Sequence, residues 1–249
     1  MDIFFGQKTV FSYIGRKRKV MGIFNLAQKK TKPAALTTTG IFLILTVIYF
    51  TVTDIPHLIT LPLASLFIAS LWLCPWQMCI ALLCSATGDY MGSCSNFLGQ
   101  MGFFALAHIF MTTYFICRYF RKVEHDRKLT GKAKGYLAVL IICIGGILAV
   151  TFTRIAPCAP EGIIRIGVCI YACLISMMLM SAMLQRSSLF ALGALLFVFS
   201  DFILAWNKFV DPVPYSRYMI LVPYFIGQWL LFIRSTPYRV GPEMRLMRF

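Results

Sequence analysis

The stretch 188-SLFALGALLFVFSDFILAW-206 decides the fold class, because it has the length of a membrane span and contains a single charged residue, Asp201. A transmembrane α-helix needs about 20 predominantly apolar residues. The stretch therefore predicts a transmembrane helix with an ionisable group inside it. A carboxyl group in such a position is energetically costly, so Asp201 is a functional-site hypothesis from the outset.

The composition of the whole chain extends this conclusion. Hydrophobic residues make up 59% of the 249 residues, only 13% are charged, and the mean hydropathy is +0.77. A soluble domain has roughly 45–50% apolar and about 25% charged residues. The apolar runs have helical lengths, whereas the strands of a transmembrane β-barrel alternate over about ten residues. The sequence predicts an all-α integral membrane protein.

Eight apolar segments predict a compact bundle of about eight transmembrane helices. Their expected bounds are 36–53, 57–74, 76–91, 97–118, 136–153, 163–184, 188–206 and 217–234. The chain then divides into a basic N-terminal arm (1–35), an eight-helix membrane domain (36–234) and a basic tail (235–249). The third segment is the weakest, because it contains Gly88 and Asp89.

The net charge of +15 is explained by membrane topology rather than by nucleic-acid binding. Lys and Arg favour cytoplasmic loops. Eight spans with both termini cytoplasmic leave four of the 24 Lys and Arg on the other side, namely Arg154, Arg165, Lys208 and Arg217. The start of the chain has no apolar run typical of a cleaved signal peptide. We expect a multi-pass protein of an internal membrane such as the endoplasmic reticulum, with no nucleic-acid partner.

Polar residues of the predicted spans share one depth. In this topology Asp89 and Asp201 lie toward the non-cytoplasmic ends of the third and seventh helices. The fourth, sixth and eighth helices start on that side and carry Gln100, His108, Tyr171, Tyr224 and Gln228; Asn207, Lys208, Tyr215 and Arg217 lie at the outer mouth. We therefore expect a membrane cavity that opens to the non-cytoplasmic face.

Each of these residues also has a purely structural interpretation. Either carboxyl could bond a neighbouring helix, His108 could be a packing residue, and the tyrosines could belong to an interfacial aromatic belt. Lys208 and Arg217 could be ordinary charges beside the membrane. The pairing of two intramembrane carboxyls with this polar company favours function.

The nine cysteines and a short internal similarity add little chemistry. No CxxC pair occurs, so packing is the simplest role for most of the cysteines. Cys94 and Cys158 fall in loops of the same side, where a disulfide is possible in an oxidising lumen. Phe97-Leu98-Gly99-Gln100 and Phe225-Ile226-Gly227-Gln228 are similar, and they follow the two aspartates as a parallel duplication would require.

Two blocks of sequence resemble the YhhN family, whose animal members are the lysoplasmalogenases (transmembrane protein 86). The first block is 193-GALLFVFSD-201 followed by 204-LAWNKF-209 and 212-PVPYSR-217. The second is Gly88-Asp89 followed by Phe97-Leu98-Gly99, Phe103, Ala107-His108 and Phe110, and Tyr171 and Met177 fit a weaker pattern. The resemblance covers roughly residues 40–235. It departs at the second helix, where Leu61-Pro62 stands in place of a common Lys-Pro pair.

The resemblance implies hydrolysis of the vinyl ether bond of a lysoplasmalogen, giving a fatty aldehyde and glycerophospho-ethanolamine or -choline. Asp89 and Asp201 would be the catalytic pair, one as acid and one as base, as two carboxyls divide these roles in glycoside hydrolysis. Supporting residues would be His108, Asn207, Tyr171, Tyr224, Gln100 and Gln228, and Lys208 and Arg217 would bind the headgroup. The expected partners are lysophospholipid substrate and membrane lipids, and no metal or cofactor is expected.

Two other functions fit parts of the pattern. Paired intramembrane carboxyls and a histidine also describe proton-coupled transporters or lipid translocators. A non-enzymatic membrane adaptor could keep the family fold, and the substituted Lys-Pro position is compatible with it. Against transport, both aspartates lie toward one side rather than at the midplane.

Overall fold

The computed structural model describes residues 32–52, 55–123 and 131–236, and this part of the chain is entirely helical between its turns. Its helices are α1 (Lys32–Thr51), α2 (Thr60–Leu73), α3 (Trp76–Ser93), α4 (Phe97–Val123), α5 (Gly131–Val150), α6 (Ile163–Met183), α7 (Ser188–Phe209) and α8 (Ser216–Ser235). The predicted fold class and the eight helices are confirmed. The predicted arm before residue 32 and most of the tail lie outside the described residues.

Six of the described helices are long and apolar enough to cross a membrane. These are α1, α4, the continuous segment Ala138–Cys158 of α5, and α6, α7 and α8. The exceptions are α2, with 14 residues, and α3, which buries the polar side chains of Gln77, Ser85 and Asp89. Helix α3 therefore contributes several polar side chains to the bundle interior, and this explains its weak sequence signal.

Polar contacts identify the two ends of the bundle. At the end that we call the basic end, Gln185 donates a hydrogen bond to the Phe115 carbonyl and Arg234 donates one to Ser187. At the opposite end, the mouth end, which comprises the turns around 55–59, 93–96, 158–162 and 210–215, Arg217 donates to the Tyr49 carbonyl. The helices run alternately between these ends, as the charge pattern predicts.

Helices α7 and α8 make the closest crossing that the glycines reveal. A β-carbon on Gly227 would lie 2.8 Å from the Gly193 carbonyl oxygen, so neither position has room for a side chain. Small residues allow such close approach of helices in membranes. On the same two helices, Ser200 donates a hydrogen bond to the Ile220 carbonyl at 2.8 Å. Ile220 lies three residues before Pro223, the proline inside α8. The crossing fixes α8 against the carboxyl-bearing helix.

Helix α5 lies at the periphery and contains the irregular part of the fold. Residues 151–155 form a π-helical turn, after which the helix continues to Cys158. Many of its apolar side chains point outward, including Ile141, Ile142 and Phe152. Helical segments of the π type occur frequently at functional sites.

The structure supports neither the internal duplication nor the Cys94–Cys158 disulfide that the sequence suggests. Gly99 lies in the first turn of α4 against Asn96, whereas Gly227 is buried in the middle of α8, so the two similar tetrapeptides do not occupy equivalent positions. The structure therefore does not support a duplication in that register. Cys94 and Cys158 are both exposed free thiols rather than a disulfide.

Candidate active site

The two intramembrane carboxyls are both buried in the mouth half of the bundle. Asp89 lies in the last turns of α3 with 2% of its surface exposed, and Asp201 lies in the second half of α7 with 7% exposed. Burial of a carboxyl group without partners costs several kcal/mol, so buried carboxyls are expected to be hydrogen-bonded. Each aspartate has such partners, and they come from different helices.

Asp201 accepts hydrogen bonds from two side chains at one oxygen. The Tyr171 hydroxyl of α6 donates to Oδ2 at 2.5 Å, and Nε2 of His108 on α4 lies 3.3 Å from the same atom. The His108 Nε2 is also 3.0 Å from the Tyr171 oxygen. The tautomer with the proton on Nε2 fits this arrangement, because both neighbours of Nε2 are oxygens that can accept. The side chains of His108, Tyr171 and Asp201 thus contact one another pairwise. His108 is fully buried and contacts Asp201 from inside the bundle.

Asp89 accepts one side-chain hydrogen bond among the described residues. The Tyr224 hydroxyl of α8 donates to Oδ2 of Asp89 at 3.0 Å. One helical turn away on both helices, Gln228 donates to Ser85 at 2.9 Å. These two parallel contacts connect α3 to α8 and place the Asp89 carboxyl, and they give Gln228 a role in holding the helices together.

Both carboxyls line one cavity of about 390 Å³, which we call the polar cavity. Its size falls within the roughly 300–1,000 Å³ of small-molecule sites. Gln100, Tyr224 and Phe104 line its interior, and exposed His57 and Ser93 line it at the mouth end. The structure therefore contains a cavity at the depth of the two aspartates, and Asp89 and Asp201 line it together.

A cationic and hydroxyl-rich rim surrounds the entrance. Arg217 lines the cavity, donates from Nη2 to the Tyr49 carbonyl at 2.7 Å and stacks over the Tyr49 ring with its guanidinium carbon 4.8 Å from the centroid. His57 Nδ1 lies 2.6 Å from the Ser93 hydroxyl on the other side. Ser216 completes the rim.

Sequence reasoning missed His57, Ser93 and Tyr49. The apolar pattern predicts that His57 begins the second helix, whereas the structure has it in the turn between α1 and α2, at the mouth end. A signal was nevertheless available, because His57 is one of only three histidines in the chain. Polar residues in the turns between apolar segments can line a membrane cavity, because the turns form its rim.

Several predicted residues lie near the cavity without lining it. Asn207 accepts a hydrogen bond from the Val213 amide at 2.8 Å and so holds the turn between α7 and α8. Lys208 is exposed, with its ammonium 5.5 Å from the Phe97 ring centroid. Tyr215 is 82% exposed. His108 contacts Asp201 and Gln228 donates to Ser85, and neither residue lines the polar cavity.

Gln100 reaches into the cavity because Gly92 leaves room for it. A β-carbon on Gly92 would lie 2.6 Å from the Gln100 Nε2. Gln100 lies one turn into α4, whereas Gly92 ends α3, so the two helices meet there. The amide of Gln100 is thereby positioned between the mouth and the two carboxyls.

A second cavity of about 70 Å³ adjoins the first between α4, α5, α6 and α7. Its lining is almost entirely apolar, and four residues line both cavities: Gln100, Phe104, Asp201 and Leu204. We call it the apolar slot. Asp201 lies at the junction between the polar cavity and this slot.

Comparison with known proteins shows the family of the chain. The model of the YhhN family matches residues 55–235, which include both carboxyl-bearing helices and most of the described bundle. The chain belongs to the YhhN family. The predicted resemblance is confirmed, and the carboxyl pair lies within the part of the chain that the YhhN model matches.

Curated YhhN relatives carry an enzyme name. Lysoplasmalogenase TMEM86B of Homo sapiens is 28% identical over 155 residues, and that of Sus scrofa is 29% identical over 155 residues; each match covers 61% of this chain and 59% of the relative. Lysoplasmalogenase TMEM86A of Homo sapiens is 43% identical over 51 residues, which are 20% of this chain and 21% of the relative. The matches to TMEM86B thus span about three fifths of those proteins. No solved structure matches the chain.

Proposed function

We propose that this protein is a lysoplasmalogenase, which hydrolyses the vinyl ether bond of 1-alkenyl lysoglycerophospholipids to a fatty aldehyde and a glycerophospho-ethanolamine or -choline. The observation that carries the proposal is that Asp89 and Asp201 line the same cavity inside a YhhN-family bundle. The names of the relatives support the reaction class.

Hydrolysis of a vinyl ether requires one protonated group that acts as an acid and one deprotonated group that acts as a base. An acid transfers a proton to the β-carbon, which gives an oxocarbenium ion at the carbon bonded to the ether oxygen. Water adds to that carbon while a base accepts a proton from the water. The resulting hemiacetal then loses its hydroxyl proton to the first group, and the second group protonates the departing glycerol oxygen. Both carboxyls return to their starting states, and the aldehyde is released.

The hydrogen bonds support a division of these roles. Asp201 accepts from Tyr171 and faces His108 Nε2, and hydrogen bonds to the charged form of a carboxyl stabilise that form. Asp89 accepts a single hydroxyl hydrogen bond, from Tyr224, among the described residues. We therefore assign the acid to Asp89 and the base to Asp201. Glycoside hydrolases place two carboxyls in contrasting environments for a similar oxocarbenium-like transition state.

The rim at the mouth end suits the phosphate of the substrate. Arg217 keeps guanidinium donors beyond the one used on Tyr49, and charge-assisted bonds to phosphate are among the stronger ones. His57 and Ser93 supply further polar groups opposite it. Lys208 lies outside this lining, so we assign the headgroup to the Arg217 side of the mouth.

The test is aldehyde release from 1-alkenyl-lysophosphatidylethanolamine by the purified full chain in detergent. We expect turnover by the wild type and a loss of at least about a hundredfold in Asp89→Asn and Asp201→Asn, because general acid–base catalysis contributes roughly 10²–10⁴-fold. Asp211→Asn is the matched control, since Asp211 is exposed in the turn after α7 and lines neither cavity. We expect its rate to equal that of the wild type.

Two results would contradict the proposal. A folded wild type that binds the lysolipid but releases no aldehyde from either ethanolamine or choline substrates would exclude the hydrolase and favour lipid transport. Full activity in both Asp→Asn variants would retain the hydrolase and exclude the carboxyl pair as its catalytic groups.

A further inference from the structure

We propose that the apolar slot between α4, α5, α6 and α7 binds the part of the substrate's hydrocarbon chain next to the vinyl ether. The inference rests on the proposed function and extends it by dividing the substrate between two cavities. The phosphate and glycerol occupy the polar cavity, the chain enters the slot, and the vinyl ether lies between them at Asp201.

The first argument is the position of Asp201. Asp201, Gln100, Phe104 and Leu204 line both cavities, so the two spaces meet at a catalytic carboxyl. A vinyl ether is the boundary between the polar and apolar halves of a lysoplasmalogen. A substrate that follows the polarity of the two cavities therefore presents that bond to the carboxyl.

The second argument is that the polar groups of the slot away from its junction with the polar cavity, where Gln100 and Asp201 lie, are already engaged. The Thr151 hydroxyl donates to the Ile147 carbonyl at 2.8 Å, and the Tyr171 hydroxyl donates to Asp201. The rest of the wall consists of side chains such as Ile155, Val168 and Val198. A space lined in this way favours a hydrocarbon over water, because water needs two to four polar partners.

The third argument is size and place. A volume of about 70 Å³ is far below that of a complete ligand site, so the slot accommodates only the methylenes nearest the double bond. The π turn 151–155 lies in the slot wall on the peripheral helix α5, whose neighbouring side chains point outward. The remainder of the chain would pass beside this turn toward the lipid.

The competing location is the apolar wall of the polar cavity itself. Ile59, Ile220 and Leu221 form that wall on the side of α2 and α8. That side also carries the cationic and hydroxyl rim of the mouth, so a chain placed there would displace the headgroup from Arg217. The two locations are on opposite sides of Asp201, and labelling distinguishes them.

The first experiment locates the chain without requiring catalysis. The probe is a 1-O-alkyl lysophosphatidylethanolamine, which cannot be hydrolysed, with a diazirine on the fourth chain carbon; it is photolysed on the full wild-type protein with and without excess unlabelled analogue. We expect competable labelling in α5 around 147–155 and in α6 around 168–175. Competable labelling confined to 55–59 and 220–221 would overturn the proposal.

The second experiment measures chain preference in a narrowed slot. Ala205 lies one turn after Asp201 on α7 and lines only the slot, so Ala205→Phe fills it. Each buried methylene is worth roughly fourfold in binding. We expect the kcat/KM ratio of a 1-hexadecenyl to a 1-propenyl lysolipid to fall at least about tenfold from the wild-type ratio. Ala191→Phe, on the same helix outside both cavities, keeps the wild-type ratio.

The outcomes separate this inference from the proposed function. A wild-type ratio in folded Ala205→Phe overturns the slot and leaves the hydrolase intact. No turnover of either substrate by the wild type overturns the hydrolase, whereas the photolabelling result still decides where the chain lies. If Ala205→Phe fails to fold, Val168→Phe narrows the slot from α6 and the same ratio applies.

Discussion

Asp201 and Asp89 are chemically identical residues whose surroundings differ in the number of donors. Tyr171 and His108 converge on one oxygen of Asp201, whereas Tyr224 alone reaches Asp89. Both donor sets come from helices that do not carry the carboxyl concerned. Mutation of a single donor therefore tests the role of each carboxyl without altering the carboxyl itself.

The two tyrosines should differ in their effect on turnover. Tyr171→Phe removes a hydrogen bond to the carboxylate that we propose as the base, worth about 1.5–3 kcal/mol, and we expect kcat to fall about tenfold or more. Tyr224→Phe removes a hydrogen bond to the carboxyl that we propose as the neutral acid, worth about 0.5–1.5 kcal/mol, and we expect a smaller decrease in kcat. Single-turnover aldehyde release measures both.

Tyr218→Phe provides the control for this comparison. Tyr218 lies on α8, is 50% exposed and lines neither cavity, so its rate should match the wild type. A larger loss in Tyr224→Phe than in Tyr171→Phe would reverse the assignment and make Asp89 the base.

At the scale of the helices, the site depends on how closely α7 approaches α8. Gly193 and Gly227 allow that approach, and Asp201 and Tyr224 lie on the mouth side of the crossing. The position of Tyr224 relative to Asp89 is thus determined by backbone packing as well as by its own hydrogen bond. Substitution at the crossing should affect stability and activity together.

Gly227→Ala is expected to lower the thermal stability of the protein. Its β-carbon would lie 2.8 Å from the Gly193 carbonyl oxygen, a backbone atom that can move only with its helix. Overpacking of this kind costs about 1–3 kcal/mol. Thermal unfolding in a fixed detergent, followed by tryptophan fluorescence, measures the change.

Gly102→Ala is the matched control for the helix crossing. A β-carbon at Gly102 meets no atom within 4 Å, and the residue lies within α4. Because alanine is the better helix former by about 1 kcal/mol, its melting temperature should equal or exceed that of the wild type. Equal melting temperatures for Gly227→Ala and Gly102→Ala would show that the crossing is looser than the structure describes.

Across the whole molecule, charge divides between the two ends of the bundle. Arg118 and Arg234 flank the Phe190 ring at the basic end, each with its guanidinium carbon 5.3 Å from the centroid. Arg217 and Lys208 lie at the mouth end, which has few other cations. Since Lys and Arg favour the cytoplasmic side, we propose that the mouth faces away from the cytoplasm.

Cysteine labelling in sealed vesicles with the cytoplasmic face outward tests this orientation. Cys94 is exposed at the mouth end, and Lys32, at the start of α1, is exposed at the other end. With the other cysteines replaced, we expect an impermeant maleimide to label Lys32→Cys in intact vesicles and Cys94 only after permeabilisation. The opposite pattern would place the mouth on the cytoplasmic side.

The helix count and the family followed from local sequence properties. Apolar length marks a membrane helix because the backbone must satisfy its hydrogen bonds internally in lipid, and each segment does so independently of the others. The carboxyls of Asp89 and Asp201 were conspicuous for the same reason, since an ionisable group in an apolar segment contrasts with its neighbours. The family blocks are likewise properties of contiguous sequence.

The partners of those carboxyls required the tertiary structure. The sequence predicts the depth of His108, Tyr171 and Tyr224 along their helices. The rotation of each helix about its axis, however, is set by packing against its neighbours. Asn207, which the sequence predicts at the outer mouth, accepts a hydrogen bond from the Val213 amide and does not line the cavity, whereas His57, in a turn, reaches the cavity rim.

A helical membrane bundle, the alternation of charge between its loops and two energetically costly carboxyls are predictable from the sequence alone, because they depend on the properties of single segments in a bilayer. The packing of the helices is needed to show that both carboxyls line one cavity, that Asp201 adjoins a separate apolar slot, and that Lys208 lies outside both. These are consequences of side-chain packing between residues that are distant in sequence, such as Asp89 and Tyr224, which are 135 positions apart, and local sequence does not encode the orientation of one helix face toward another.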